Sequence, residues 1–164
     1  MTEAPLNIPW IERKKIEARV LVPLVKAFQA ELGEERANQI ARRALDGLSR
    51  ELGKAGAALP PDSPIEKVAA WLPVFAAGDT IDVEVIKRTS DAFEFNVSGC
   101  RYAEFYKQLG EPELGFLLLC AGDWAATEGL SPDLEFTRSQ TIMQGASHCD
   151  FRYRLKKSGD DVGV

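Results

Sequence analysis

Residues 80–100 read TIDVEVIKRTSDAFEFNVSGC, and this stretch decides the fold class of the 164-residue chain. Apolar and polar residues alternate over residues 81–85 and again over residues 93–97, with a short polar turn at 89–92 between them. Alternation with a period of two is typical of strands, and two such runs joined by a short turn predict a β-hairpin over residues 81–98. The fold must therefore include a sheet.

A second pair of strands is predicted over residues 134–155, with a glycine turn between them. In the last strand of this pair, Cys149, Phe151 and Tyr153 alternate with charged residues and so share one face. The segment between the two strand pairs is apolar on nearly all sides over residues 113–127, which predicts a buried helix.

The sequence before residue 80 has a helical pattern. Apolar residues recur at steps of four over residues 11–32, which predicts a helix that Pro23 should kink or split. A second helix is expected to end at Gly53, and a third begins with Ser63 as its N-cap.

The order of these elements predicts an α+β domain. N-terminal helices, within residues 11–77, are followed by two β-hairpins packed around a buried helix. The domain is expected to cover residues 1–157 and to end in a flexible polar tail over residues 158–164. Alternatively, the N-terminal helices form an arm that packs on a partner subunit.

The charge of the chain argues against nucleic acid as a partner. Twenty Lys and Arg residues against 25 Asp and Glu residues give a net charge of −5, whereas phosphate contacts need a clustered basic surface. No apolar run reaches the roughly 20 residues that a membrane-spanning helix needs, and the first residues lack the apolar core of a signal peptide. The three cysteines form no disulfide framework and are expected to be free thiols. We therefore expect a cytoplasmic protein.

The first helix carries more apolar residues than one core face needs. An exposed apolar surface of this breadth predicts a homo-oligomer. The stripe comprises Val20, Leu21, Val22, Leu24 and Val25.

Three residues are expected to meet at one pocket. Cys120 and Asp123 stand three apart on the predicted buried helix and so share a face. Cys149 lies on the strand face that should pack on that helix. Ionisable groups brought together at a helix–sheet junction perturb one another's pKa, as catalysis requires. A structural role stays open for each residue, because free cysteines are common in cores and Asp123 could reach solvent or a backbone amide.

Other polar residues near Cys149 could bind a substrate or only stabilise the surface. Arg138, on the strand expected to pair with that of Cys149, could hold a substrate carboxylate in a bidentate pair, or could pair with a surface carboxylate such as Asp150. His148, the single histidine, is expected to be a solvated turn residue. The cysteines and the histidine lack the spacing of a zinc site, so neither a metal nor another cofactor is expected.

Three segments carry a resemblance to a known family. They are IERKKIEARVLVPLVKAFQAELGEERA from residue 11, FNVSGCRYAEFYKQLGEPELGFLLLCAGD from residue 95 and FTRSQTIMQGASHCDFRYRL from residue 136. Their most specific parts are the Gly99–Cys100 pair, Cys120 with Asp123, and a string from Arg138 through Thr141, Gly145 and Cys149 to Asp150 and Phe151. In their order and spacing they resemble the L-2-amino-thiazoline-4-carboxylic acid hydrolase family.

This resemblance implies a hydrolase that opens a small cyclic amidine or amide, such as a 2-aminothiazoline-4-carboxylate. The ring carbon between nitrogen and sulfur is electrophilic, and opening the ring needs a nucleophile, a proton for the leaving atom and a clamp for the carboxylate. Either Cys149 or Cys120 attacks directly, or Asp123 acts as general base on a water. The substrate is expected to be bound by Arg138, Asp150, Thr141 and Cys100.

Two other functions stay open. The Gly-x-x-x-Cys-x-Phe run of the last hairpin is also similar to sensory domains related to vinyl reductases, in which the cysteines would line a ligand pocket or bind a metal without catalysis. The chain could also be an accessory subunit that docks through its N-terminal helices. A catalytic thiol should have a lowered pKa and react fast with iodoacetamide at neutral pH, whereas a structural thiol should not.

Overall fold

One antiparallel sheet of four strands forms the base of the fold in a computed structural model, which describes residues 8–157. The hairpin predicted over residues 81–98 is confirmed as its first two strands. The expected flexible tail, residues 158–164, lies outside the described residues, and the domain extent of 1–157 stays a prediction. The strands are β1 (Ile81–Arg88), β2 (Ala92–Cys100), β3 (Leu134–Thr137) and β4 (Cys149–Leu155), in the spatial order β1-β2-β4-β3.

The pairing of β2 with β4 unites the two predicted strand pairs into one sheet. Phe95 lies opposite Phe151, and Val97 lies opposite Cys149, so these side chains share one face. The rings of Phe95 and Phe151 stack with their centroids 4.8 Å apart. Tyr153 lies on the same face, as the alternation in the last strand predicts. This inner face of the sheet is an apolar, aromatic floor.

Helices cover the inner face of the sheet. Ile65 and Val68 of the third helix and Leu130 of the sixth are buried in one cluster with Phe95 and Tyr153. The predicted α+β class is confirmed, and so is the helical character of residues 11–77. The helices are α1 (Trp10–Leu32), α2 (Glu34–Ala57), α3 (Pro64–Ala76), α4 (Arg101–Gln108), α5 (Pro112–Leu118) and α6 (Asp123–Leu130).

Pro23 does not divide α1, so the predicted split is wrong. A proline in a helix interior removes a backbone hydrogen bond and disfavours the helix. Val22 and Val25, on either side of Pro23, are nevertheless buried in the same cluster as Leu114 and Met143. Because both halves of α1 pack on one core, the helix continues through the proline.

The second helix also continues past its predicted end at Gly53, as far as Ala57. A Cβ atom at Gly53 would overlap the carbonyl oxygen of Ala126 in α6, and a Cβ atom at Gly129 would overlap the carbonyl oxygen of Arg50 in α2. The backbones of α2 and α6 therefore touch at a reciprocal pair of glycines. Gly53 serves close packing and does not end the helix.

The single buried helix predicted over residues 113–127 is wrong. The segment forms α5, a 3₁₀ turn at Cys120–Gly122 and then α6. Arg138 and Arg42 donate hydrogen bonds to the carbonyl groups of Cys120 and Ala121 in this turn. Cys120 begins this turn and Asp123 begins α6. The two residues therefore do not share a face of one helix.

The second strand pair is shorter than predicted. β3 ends at Thr137, and residues 138–148 form a loop before β4. In this loop, the backbone N–H groups of Ser139 and Gln140 donate to the Asp150 carboxylate, each at 2.9 Å. Amides that are bonded to a side chain cannot extend the strand ladder. The prediction that Arg138 lies on the strand paired with that of Cys149 is therefore wrong, because β3 ends at Thr137.

The apolar residues that step by four along α1 are largely exposed, and two of them, Ile16 and Val20, also line a cavity between the helices and the sheet. Buried positions of this helix are Ala18, Val22 and Val25, so two members of the predicted oligomer stripe belong to the core. The outward stripe consists of Ile16, Val20, Leu24, Phe28 and Leu32, whose exposed fractions lie between 43% and 64%. Over residues 8–157, every helix is too short or too polar to cross a membrane.

We expect Gly53→Ala to lower the free energy of unfolding by about 2 kcal/mol, because overpacking of two helix backbones outweighs the gain in helix propensity. Gly47→Ala lies on the same helix with open space around the added methyl group. It should instead stabilise the protein by up to about 1 kcal/mol. Urea denaturation of both variants measures the difference. Equal stabilities would contradict the close approach of α2 and α6.

We expect the outward stripe of α1 to pair antiparallel with the same stripe of a second copy. Residues 12–19 carry four basic against two acidic residues, and residues 26–35 carry one basic against three acidic. Antiparallel packing would bring these opposite charges together. Light scattering at micromolar concentration should show a dimer, and Phe28→Glu, on the part of the stripe that does not line the cavity, should produce monomers. Val85→Glu, at a similarly exposed position on β1, is the control. A monomeric wild type would remove the homo-oligomer.

Candidate functional site

A cavity of about 800 Å³ lies between the inner face of the sheet and the helices. Phe95, Phe151 and Tyr153 line it from the sheet, and α1, α2, α3 and α6 also contribute side chains. Most of the lining residues are apolar or aromatic. Cavities of roughly 300–1,000 Å³ with a few polar groups are typical of small-molecule sites. This cavity is therefore the candidate functional site.

An ion pair between Asp123 and Arg138 lies in the wall of the cavity. Arg138 Nη1 donates to Asp123 Oδ2, and Arg138 Nη2 donates to the carbonyl oxygen of Cys120 at 2.9 Å. The Arg138 side chain is only 2% exposed, whereas that of Asp123 is 35% exposed. Because Asp123 lines the cavity, its carboxylate is accessible to a ligand there.

Aromatic rings surround the guanidinium of Arg138. Its Cζ atom lies 4.8 Å from the ring centroid of Trp124 and 5.1 Å from that of Phe151. A cation over aromatic faces is attracted by the ring quadrupole, which offsets part of the cost of burying the charge. Within residues 8–157, the buried Nε of Arg138 has no hydrogen-bond partner. Arg138 is thus fixed in the wall although it belongs to a loop and not to a strand.

Burial raises the pKa of Asp123 above the ordinary carboxyl value, and the charges of Arg138 and Arg42 oppose this only in part. A carboxylate whose pKa lies closer to neutrality is a stronger base than an ordinary one. Thr127 Oγ1 donates to the backbone carbonyl of Asp123 at 2.7 Å and fixes the start of α6. Arg138 bonds Oδ2, which leaves Oδ1 for a ligand or a water. Asp123 is therefore well placed to accept a proton in the cavity.

All three cysteines are free thiols and line the cavity. Burial raises the pKa of the Cys120 thiol, and the charge of Asp123 raises it further. Burial also raises the pKa of Cys149 and of Cys100, and the backbone N–H groups that bond their sulfurs oppose this only in part. A protonated thiol is a poor nucleophile. The surroundings of these cysteines therefore do not favour a thiolate at neutral pH.

The structure brings Cys149, Cys120 and Asp123 to one cavity, together with Cys100 and Arg138. Their catalytic and binding roles stay predictions. Over residues 8–157, no group of three or more His, Cys, Asp or Glu side chains is arranged to hold a metal ion.

The other predicted site residues do not line the cavity. The Asp150 carboxylate accepts hydrogen bonds from the loop over residues 138–148, including one from Ser139 Oγ at 2.6 Å. Burial raises the pKa of Asp150, but its hydrogen bonds outweigh this and hold the pKa below the ordinary value. Thr141 is buried and exchanges hydrogen bonds with Gln144 in a 3₁₀ turn. His148 lies in the same loop, beside β4.

Sequence reasoning missed the residues that hold the ion pair in place. Trp124 contacts the guanidinium of Arg138, and Arg42 reaches the carbonyl of Ala121, 79 residues away. No motif or periodicity links residues so far apart. The sequence also leaves unnoticed that α2 and α3 complete the apolar wall of the cavity. The surplus of apolar residues on α1 is the signal that points to this wall.

We expect the three thiols to react with iodoacetamide at pH 7 at least about tenfold more slowly than an ordinary exposed thiol, because a raised pKa reduces the reactive thiolate fraction. Unfolding in urea should remove the difference. Mass spectrometry of the peptides follows each cysteine separately. Fast modification of native Cys149 or Cys120 would instead indicate an activated nucleophile.

Known proteins resemble this chain in sequence and in fold. A family model described as L-2-amino-thiazoline-4-carboxylic acid hydrolase matches residues 13–153. No match was found among curated proteins. One similar solved structure is that of the phenol-responsive sensory domain of the transcription activator PoxR with phenol. The two share 13% sequence identity and a TM-score of 0.54, over 82% of this chain and 72% of that one. At this identity the likeness concerns the fold alone.

Proposed function

Because the chain belongs to the L-2-amino-thiazoline-4-carboxylic acid hydrolase family, we propose that it hydrolyses a small cyclic amidine within the cavity. The observation that carries this proposal is the carboxylate of Asp123, which is accessible from a largely apolar cavity and has a raised pKa. Such a group can both bind a cyclic amidine and activate a water.

Asp123 is complementary to the ring of the proposed substrate. A protonated cyclic amidine is a planar cation with N–H donors, and a carboxylate accepts such donors in a charge-assisted pair. In an apolar cavity this pair is stronger than in water. Arg138 bonds Oδ2 of Asp123 and so orients the carboxylate towards the substrate. We assign Arg138 this positioning role, because its guanidinium already bonds Asp123 and Cys120.

The reaction adds one water to the ring and needs no other reactant. Asp123 takes a proton from the water while the oxygen bonds to the ring carbon between nitrogen and sulfur. The tetrahedral carbon then breaks its bond to sulfur, and the proton held by Asp123 passes to the sulfur. The hydroxyl group loses its proton to solvent as the carbonyl of a urea forms, which balances the proton that the amidine carried. Asp123 is thereby returned to its carboxylate form.

A cysteine thiolate is a less favourable nucleophile here than a water activated by Asp123. Direct attack by Cys149 or Cys120 requires a thiolate, and burial raises the pKa of both. The water route uses a base whose ionised form is paired with Arg138. We therefore assign Cys149, Cys120 and Cys100 to the wall that shapes the site.

A ligand-binding domain without catalysis is the second candidate. The mostly apolar lining of the cavity favours it, and a solved structure with this fold is a sensory domain with phenol. In that function, the ion pair of Asp123 and Arg138 would bind the polar end of a ligand and leave it unchanged.

We also propose that the protein works in a reducing compartment such as the cytoplasm, on a small-molecule substrate. Its three cysteines are free thiols, a state that reducing compartments maintain.

We expect the wild type to open 2-amino-2-thiazoline rings, with a free thiol released for each water added. A thiol reagent and mass spectrometry measure the thiol and the added water. Asp123→Asn should reduce kcat by about 100-fold or more, because it removes the general base. Glu128→Gln makes the same chemical change on an exposed residue of α6 and should leave kcat unchanged. Binding of the ring without any turnover would favour the ligand-binding domain.

The pH profile of the wild type provides a check that does not depend on the folding of a variant. Asp123→Asn leaves the buried Arg138 without its partner carboxylate, which destabilises a protein by about 3–5 kcal/mol. In the wild type, kcat/KM should rise with pH as Asp123 loses its proton. The midpoint should lie above the ordinary carboxyl value of 3.8, because the folded pKa is raised. A midpoint below that value would exclude Asp123 as the base.

A further inference from the structure

The cavity is much larger than a 2-aminothiazoline-4-carboxylate, which is one five-membered ring with two small substituents. Its volume of about 800 Å³ lies in the upper part of the range that suits drug-sized ligands. A small ring bound to Asp123 would leave most of this space unfilled. Contact with the walls is what binds a ligand in an apolar cavity.

The walls formed by the three N-terminal helices are apolar. Side chains of α1, α2 and α3 that line the cavity include Ile16, Val20, Leu48, Leu52, Trp71 and Phe75. Four of them are about half exposed or more, with 68% for Leu48 and 64% for Val20. Covering such surface from water is favourable by about 25 cal/mol per Å². The open part of the cavity therefore suits an apolar group.

Among residues 8–157, the charged residues of the cavity offer no free cation to a substrate carboxylate. Lys14, Glu17, Asp123 and Arg138 are the charged lining residues over residues 8–157. Lys14 Nζ is 2.7 Å from Glu17 Oε2, and Arg138 is paired with Asp123. A carboxylate beside Asp123 would be repelled by it and would lose its hydration without a new partner.

We infer that the substrate of this chain is a cyclic amidine that carries an apolar substituent, such as an aryl or alkyl group, in place of a carboxylate. The inference rests on the proposed ring-opening function. The amidine binds the carboxylate of Asp123, and the substituent fills the wall formed by α1, α2 and α3. The substituent's contacts with this wall determine which rings the protein accepts.

Three probes separate the substituent from the ring. They are 2-amino-2-thiazoline without a substituent, its 4-phenyl derivative and its 4-carboxylate. We expect kcat/KM for the phenyl derivative to exceed that for the carboxylate at least about tenfold, because a filled apolar pocket gives discrimination of this order. Equal values, or a preference for the carboxylate, would overturn the inference while ring opening itself stood.

A charge placed on the wall provides the matched variant. Leu48→Lys should lower kcat/KM for the phenyl derivative and raise it for the carboxylate, each by about threefold or more. The new cation attracts the carboxylate and makes the wall less favourable for the phenyl group. Leu48 is largely exposed, so the substitution should leave the fold intact. Val85→Lys, on β1 and away from the cavity, should change neither value. No shift in preference with Leu48→Lys would contradict an apolar substituent on this wall.

Binding keeps the inference testable if no ring is opened. Titration of the intrinsic tryptophan fluorescence gives the affinity of each probe, since Trp10 and Trp71 line the cavity. Tighter binding of the phenyl derivative than of the carboxylate would support the apolar substituent, with hydrolysis alone disproved. Equal or weaker binding of the phenyl derivative would overturn the inference as well.

Discussion

The guanidinium of Arg138 is the constraint on which the cavity depends. A charge that is only 2% exposed requires an anion, hydrogen bonds and polarisable neighbours, or the folded state loses stability. Arg138 obtains all three, from the carboxylate of Asp123, the carbonyl of Cys120 and the ring of Trp124. These partners belong to the 3₁₀ turn and to α6, whereas Arg138 belongs to the loop after β3, so its guanidinium joins that loop to the start of α6. One buried cation therefore fixes the position of the Asp123 carboxylate.

The break between α5 and α6 is a second consequence of this arrangement. The carbonyl of Cys120 accepts a hydrogen bond from the backbone N–H of Asp123 and a second one from Arg138. Arg42, from α2, bonds the neighbouring carbonyl of Ala121, so the 3₁₀ turn is held from the loop after β3 and from α2. Asp123 becomes the first residue of α6, where the helix dipole favours a negative charge. Breaking the helix thus places the carboxylate at a favourable helix end and in contact with the cavity.

Patterns within one element predicted much of the fold. The alternation around residues 81–98 and in β4 is set by side chains of one strand facing one core, so it can be read locally. The break at Cys120 could not be predicted, because it depends on arginines 18 and 79 residues away from the carbonyls that they bond. The grouping of Cys120, Asp123 and Cys149 at one cavity was predicted from a strand face and from a helix face that the 3₁₀ turn in fact interrupts. The protonated state of the thiols could not be predicted, since it follows from burial that only the assembled cavity provides.

The reciprocal contact of Gly53 and Gly129 has a consequence for the walls of the cavity. Because the backbones of α2 and α6 touch there, the separation between the helix that carries Asp123 and the helix that carries Leu48 is fixed by main-chain atoms. Side chains on α1 and α3 can then vary without changing this separation. The carboxylate and the apolar wall of the cavity are therefore set by different parts of the scaffold.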